Sequence, residues 1–458
     1  MLYRCCLSSI RPFPQNKLIQ NQSCVSPSRM SCDIATSVAA SDAVMAVSEK
    51  PLSDARLQEE LDVAIQAVYQ GLAKVNREIH NNPETAWNEH HAHDTICEFL
   101  DSASFHSTRH AYGVSTAFES RTTCGNGGRT VNFNAEYDAL PGIGHGCGHN
   151  LITIASLVAY LGLSRLMAVY QIDGTLQLLG TPAEELGGGK IALLEAGAYK
   201  DADVSLMAHP YPVPNDGSVK FPDGCAGLRS NAHIGLSVAY TGRSAHAGAE
   251  PWEGINSLDA LVSAYNNVSM LRQQMKPDCR VHGAIVEAPK VANVIPDRTS
   301  ATFSVRAPTI AAAEELAQRV DACLKAGAVA TGCECSIKKH PSYADLIPNR
   351  TLCESYSSHM RSLGRRVEVM STEVLGASTD QGNVSYAVPA LHPMFGVSCG
   401  PGINIHSREF AEVAGTGEAF EAAVVVGKAL ALTGWDLLTQ EATSICTKED
   451  FKNALLES

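Results

Sequence analysis

Positive charge is scarce in this chain of 458 residues: 35 Lys and Arg face 48 Asp and Glu, a formal net charge of −13. That deficit argues against nucleic acid and anionic membrane as partners, since both are held by basic patches. No apolar run is expected to reach the length that spans a bilayer. No secretory signal pattern opens the chain, and the 15 cysteines are irregularly spaced, with no zinc-finger pairing. This argues against a disulfide scaffold and implies mostly free thiols in a reducing compartment. Internal repeats and low-complexity tracts are also missing. What remains, 45% apolar and 18% charged residues, is the composition of a globular protein of two or three domains with a sizeable core.

Acidic residues are missing from one place. The first 32 residues hold no Asp or Glu but carry Arg4, Arg11, Lys17 and Arg29. Such a leader is either a mitochondrial transit peptide or a disordered extension, and Pro12 and Pro14 weaken any amphipathic helix. Residues 1–50 are therefore set aside. The expected location is cytoplasmic, or mitochondrial if the leader targets.

Apolar residues recur at helical spacing from Leu57 to Ile79, and a second helix is expected near His91 to Leu100. The stretch TVNFNAEYD alternates strictly, with Val131, Phe133, Ala135 and Tyr137 on one side and Asn132, Asn134, Glu136 and Asp138 on the other; this is the period of a strand. An apolar helix follows Asn150. GTLQLLGT and ADVSLMA read as further strands, the latter ending at His209, with a helix in GGKIALLEAGAY between them. Strands alternating with helices predict an α/β fold, a mostly parallel sheet with helices on both faces.

Near Ser230 the pattern changes. Residues 231–344 read as β-α-β-β-α-β, a ferredoxin-like layer inserted into the first domain, which resumes after residue 345. The expected division is a first α/β part at 51–230, the inserted layer at 231–344, and a second α/β part at 345–445.

The chemistry-bearing residues gather where strands end, which is where α/β sheets place their sites. AEYDALPGIGHGCGHN carries Cys147 and His149, GTPAEELGGGK carries Glu184 and Glu185, MAHP carries His209, and INIHSREF carries His406. Thiolate, imidazole and carboxylate are the ligands that Zn²⁺ takes. The glycines around Cys147 permit positive φ and close backbone approach, so that two ligands can aim at one small volume. Taken singly, each residue is more often a packed or capping side chain; together at successive strand ends they point to a metal site. Two adjacent glutamates allow one to bind metal while its neighbour takes a proton from water.

With IHNNPETAWNEHHA, GRSAHAGAEPWEGINSLDA, KVANVIPDRTSATFSVRAP and STDQGNVSYAVP, these stretches form eight ordered blocks over about residues 57–440. Together they resemble the zinc amidohydrolase and metallopeptidase family of aminoacylase, carboxypeptidase G and the auxin-conjugate amidohydrolases, nearest to its aminoacylase-like dipeptidase branch. The resemblance implies a two-metal site held by Cys147, His149, Glu185, His209 and His406, with Zn²⁺ or Mn²⁺ as the ion. It implies Glu184 as general base and Asp138 as the Asp that supports the metals. It implies that His246 polarises the scissile carbonyl, often across a dimer, and that Asn293 and Arg306 hold the oxyanion or a substrate carboxylate. Where other branches place a metal-binding His, this chain has Glu136. Gly146 stands where Ala is more usual, a change expected to be harmless. Asp380 is a further polar candidate that could equally cap a helix.

The sequence thus predicts a metal-dependent amidohydrolase, with catalytic parts at 51–230 and 345–445 and a lid at 231–344 through which it dimerises, that cleaves dipeptides or N-acyl amino acids with metal-activated water. A specialised amidase of a secondary metabolite shares all these residues, and a non-catalytic binding protein is the remaining alternative.

Overall fold

A computed structural model describes residues 54–457, so the leader lies outside the described residues. The alternating stretch forms the strand Thr130–Ala135, near the middle of a six-stranded sheet. It pairs in parallel with Gly174–Gly180 on one side and Val204–Leu206 on the other. Ala390–Leu391 extends the sheet in parallel, while Phe118–Cys124 and Ser107–Arg109 close the other edge antiparallel. The parallel centre is built as the alternation of strands and helices predicts.

Both faces of the central strand are buried. Val131 and Phe133 enter the main core with Leu176, Leu178 and Leu206. The helices Asp54–Asn81, His149–Tyr170 and Gly417–Thr439 supply much of the rest of that core, with further residues from His90–Ser102 and Arg350–Ser362. On the opposite face the polar half of the alternation is sealed by hydrogen bonds rather than by water. The Asn132 amide donates to Gln177 at 3.1 Å, and Asn134 donates to Ser205 at 3.0 Å and to Gln381 at 2.8 Å. Buried amides are retained when each finds a partner. This ladder runs up the strand to Glu136 and Asp138, which lie just past its carboxyl end.

Two expectations need correction here. The helices His149–Tyr170 and Gly417–Thr439 are in fact long and apolar enough to cross a membrane. Most of each is buried inside the protein, 83% and 72% of the apolar window, so the apolarity serves packing on several sides at once. His209 does not end the Val204–Leu206 strand. It begins another, His209–Pro214, in a separate four-stranded sheet with Met394–Cys399, Gly224–Ser230 and Val367–Leu375. The chain breaks at Met207 and Ala208 and passes from one sheet to the next.

The inserted segment folds as its pattern predicts. Ala232–Thr241, Arg280–Glu287, Arg298–Ala307 and Glu334–Lys339 make one antiparallel sheet, with Ala232–Thr241 and Arg298–Ala307 at its centre. The helices Ser257–Leu271 and Ile310–Thr331 cover one face through Leu261, Val268, Leu316 and Val320. Asn256 and Thr309 cap them, each side chain accepting backbone N–H groups at the first turn.

Candidate metal centre

The turn after Asp138 delivers the first two ligands. Gly148 has φ 80° and leads directly into the helix that begins at His149. Gly146 serves differently: its φ is ordinary, but a Cβ there would stand 2.8 Å from the Ser407 carbonyl and 2.7 Å from Ile143. The contact is part of how the His406 loop docks, since His406 N–H donates to the Gly146 carbonyl at 2.8 Å. Glycine at 146 thus suits the close approach of the two loops, and an Ala here would have to displace the Ser407 carbonyl or Ile143. His406 itself holds φ 64°, a conformation that non-glycine residues seldom keep without a local reason.

The five expected ligands meet. Cys147 Sγ lies 3.4 Å from His209 Nε2 and 3.3 Å from His406 Nε2. Glu185 Oε1 lies 3.5 Å from His406 Nε2 and 3.8 Å from His149 Nε2. Cys147, His149 and His209 form one group of converging ligand atoms, and Cys147, Glu185 and His406 a second. The thiol is common to both. Glu136, His149 and Glu184 form a third.

The residues fit cations on the evidence of their unpaired atoms. His149 Nε2, Glu185 Oε1 and Glu136 Oε2 are buried without a hydrogen-bond partner. Such atoms are costly unless something positive lies among them. The surrounding hydrogen bonds aim them. His149 Nδ1 faces Asp138 Oδ1 at 3.0 Å, and Asp138 Oδ2 accepts the Glu185 N–H at 3.0 Å. Asp138 therefore orients a candidate ligand from each of two loops, as supporting carboxylates do. His209 Nδ1 donates to the Pro210 carbonyl at 2.7 Å, which turns its other nitrogen towards Cys147.

Electrostatics agree. Burial opposes a charge on His149, but Cys147 and Asp138 hold its imidazole well above the usual value; a proton there does what a cation would do. Burial and the His149 charge push His209 down to about 4, so near neutral pH it presents a lone pair. Burial keeps the Cys147 thiol well above its usual range, a state that a coordinated cation reverses. Burial, reinforced by Glu136, Glu185 and Asp380, raises the Glu184 carboxyl well above the ordinary value. A carboxylate with that proton affinity suits a general base.

Several contributors were not legible as site residues. Lys190 is fully buried, its ammonium paired with Glu136 and, at 2.7 Å, with Asp380. Asp380 Oδ2 also accepts the Lys190 N–H at 2.9 Å and does not cap the helix it precedes. Glu89 Oε1 accepts the N–H of Ala183, the residue before Glu184, at 2.8 Å; Ala183 has φ 60°. Tyr343 donates to the Glu184 carbonyl at 2.6 Å. His392 stands edge-on to His209 with ring centroids 5.8 Å apart. No local sequence signal pointed to these pairings, which span 54 and 190 positions.

A cavity of about 320 Å³ opens over the ligands, lined by Cys147, Glu184, Glu185, His209, His392 and His406 and walled by Leu228, Leu346, Leu375 and Arg306. Arg306 reaches it from the inserted layer and donates to Ser378 Oγ at 2.8 Å. His246 and Asn293 are not among its lining residues. They sit side by side on an exposed ribbon, where Ala245–His246 pairs with Val294–Ile295 and the Asn293 carbonyl accepts the Ala247 N–H at 3.0 Å. The sequence-predicted set thus divides in two. The ligands, Glu184, Asp138 and Arg306 converge within one chain, and the other two do not.

Residues 132–431 match the model of peptidase family M20/M25/M40. The chain belongs to that family, and it is a metal-dependent hydrolase of peptide or amide bonds. It is 37% identical to the Xaa-Arg dipeptidase of Mus musculus, over 89% of this chain and 94% of that one. It is likewise 37% identical to the Xaa-Arg dipeptidase of Homo sapiens, over 90% and 94%. Among solved structures it resembles a dinuclear metal-binding M20 peptidase from Bacillus subtilis, with TM-score 0.55 and 19% identity, covering 79% of this chain and 98% of that one.

Proposed function

We propose that this protein is a dipeptidase that removes a basic carboxy-terminal residue, using two cations, Zn²⁺ or Mn²⁺. The carrying observation is the sharing of Cys147 by two groups of converging ligand atoms, with His149 Nε2 and Glu185 Oε1 buried and unpaired among them. The substrate class follows the names of the mouse and human relatives. Arg306, on the cavity wall, offers the guanidinium that a terminal carboxylate takes as a partner.

Cys147, His149, Glu185, His209 and His406 hold the cations. Bound there, divalent cations supply Lewis acidity and lower the pKa of water to roughly 7. Glu184 accepts the proton of the attacking water on its carboxylate and returns it to the leaving amine nitrogen. Asp138 keeps His149 and the Glu185 backbone in place. His246 Nδ1 accepts the N–H groups of Gly248 and Ala249, both at 3.1 Å, so Nε2 carries the ring proton and points its N–H away from that turn. From a partner subunit this N–H donates to the oxyanion, with Asn293 beside it. The inserted layer then serves as both lid and dimer contact. Its edge strand Arg280–Glu287 supports this, because Ile285 and Val286 are exposed on it.

The location remains cytoplasmic, or mitochondrial if residues 1–50 target. The test is a hydrolysis panel of Xaa-Arg and Xaa-Lys dipeptides, neutral dipeptides and N-acyl amino acids, each with and without chelator. Chelator-sensitive cleavage confined to basic dipeptides is expected. Preference for N-acyl amino acids or another amide overturns the substrate, and cleavage indifferent to a chelator that strips the cations overturns the mechanism.

A further inference from the structure

We infer that Glu136 is itself a metal ligand, a carboxylate on the His149 side of the centre, fixed there by a buried Lys190–Asp380 pair. The inference rests on the metal-dependent reading above and assigns a residue that lies outside the five-ligand set. It begins with the His149 imidazole. Nδ1 faces Asp138 Oδ1 at 3.0 Å, so in the neutral ring the proton sits on Nδ1 and Nε2 is a bare lone pair. Glu136 Oε2 lies 3.4 Å from that lone pair. A positive charge has to lie between or beside them, either a proton on Nε2 or a cation that takes its place.

The rest of Glu136 shows that the arrangement is built. Its side chain is fully buried. Oε1 is taken by the Lys190 ammonium, and Oε2 has no hydrogen-bond partner. Lys190 cannot swing away, because Asp380 holds both its Nζ and its backbone N–H. The carboxylate is therefore clamped at one oxygen and offers the other. Glu136, His149 and Glu184 atoms converge as closely as the atoms of the other two ligand groups.

The chemistry of the two sides then differs. The His406 side gathers thiolate, imidazole and carboxylate, a set with a soft donor that favours Zn²⁺. Cys147 serves both sides, so without Glu136 the His149 side offers thiolate and imidazoles. Glu136 adds a hard anionic oxygen to that set and raises its preference for Mn²⁺ over what the set has without it.

The test is metal binding, read without reference to turnover. Purified wild type, E136Q and E136H are stripped with chelator, titrated with Zn²⁺ alone and Mn²⁺ alone, and assayed for bound metal by mass spectrometry, with circular dichroism as the folding control. In wild type two equivalents are expected, one of them tighter for Mn²⁺ than the other. E136Q, which keeps the shape and hydrogen-bonding capacity but not the anionic oxygen, is expected to weaken one equivalent roughly 10–100-fold and leave the other unchanged. E136H, which substitutes an imidazole nitrogen, is expected to keep two equivalents while its Mn²⁺/Zn²⁺ affinity ratio falls tenfold or more. Two equivalents of unchanged affinity in a folded E136Q overturn the inference. If E136Q does not fold, an unchanged Mn²⁺/Zn²⁺ ratio in E136H overturns it. Absence of metal binding in wild type overturns the underlying metal-dependent reading instead.

Discussion

The floor and the wall of the cavity are built on opposite principles. On the floor, at the carboxyl end of Thr130–Ala135, carboxylates crowd together; clamped side chains and backbone hold His149, Glu185 and Glu136, whose ligand atoms are left unpaired. Asp138 spans two loops, Lys190 spans Glu136 and Asp380, and Glu89 secures Ala183. Among the described residues, the face of the inserted layer carries lighter restraints, such as Ser237 Oγ at 2.7 Å from His340 Nε2. It borders a cleft of about 550 Å³ with His233, His282, His340, Thr302 and Ser304, and contributes no Asp or Glu to its lining. His246 stands further out, on an exposed two-stranded ribbon. The difference separates two tasks. Groups that handle charge and protons need fixed geometry in a low-dielectric setting, whereas groups that meet a substrate arriving and leaving need freedom to move.

If the floor alone carries the chemistry, Glu184→Gln is the largest single break. We expect kcat to fall about 10²–10⁴-fold with metal content unchanged by mass spectrometry; full rate in that variant removes Glu184 from the mechanism. His246→Ala tests whether the wall contributes in trans. Alone it is expected to lose about 10²–10³-fold in kcat, the usual cost of one oxyanion donor. Mixed with Glu184→Gln subunits and allowed to exchange, it should recover roughly a quarter of wild-type activity, since half the dimers then hold one complete site. No recovery after verified exchange places His246 outside the site.

Asp138→Asn sharpens the case for clamping. It keeps the shape but withdraws the charge that faces His149, and metal affinity measured calorimetrically should drop about 10–100-fold. Gly146→Ala probes the seam between the Cys147 turn and the His406 loop. The added methyl has to displace the Ser407 carbonyl, so destabilisation of about 1–3 kcal/mol and weaker metal binding are expected in a denaturant melt and a titration. An unchanged melt shows that the loop yields freely.

The smallest effect concerns Glu89. Burial raises its carboxyl to about 7 from the ordinary value of 4.5. The folded state then binds more protons than the unfolded one between those values, so stability falls as pH rises through that window. In Glu89→Gln the slope of Tm against pH over that range should flatten; an identical slope assigns the titration to other groups.

The parts of the molecule readable from sequence are those whose signal is local. The alternation of 130–138 and the helical period of 57–79 are set by neighbours two to four residues apart, and both match the structure. Cys147, His149, Glu184 and Glu185 were legible because tight turns concentrate them within short windows. The second sheet was harder to read. His209–Pro214 has proline at three of its six positions, and proline demotes a strand reading. The strand survives because it pairs with Met394–Cys399 almost two hundred residues on. Lys190 showed only as a lysine entering an apolar helix, an ordinary surface position by pattern. Its burial is set by two carboxylates that the chain brings from either side.

The exposure of His406 has a consequence for the order of events at the centre. Its side chain is 50% exposed, whereas His149 is fully enclosed and Glu185 is nearly so. A chelator therefore reaches the centre from the His406 edge, and stripping should proceed in two kinetic phases. If cations are held as proposed, the one at Cys147, Glu185 and His406 would leave first, and the one behind it only after that door is open. Reloading would run in reverse, the inner position filling before the outer one, so that partly loaded protein would be a defined species rather than a random mixture.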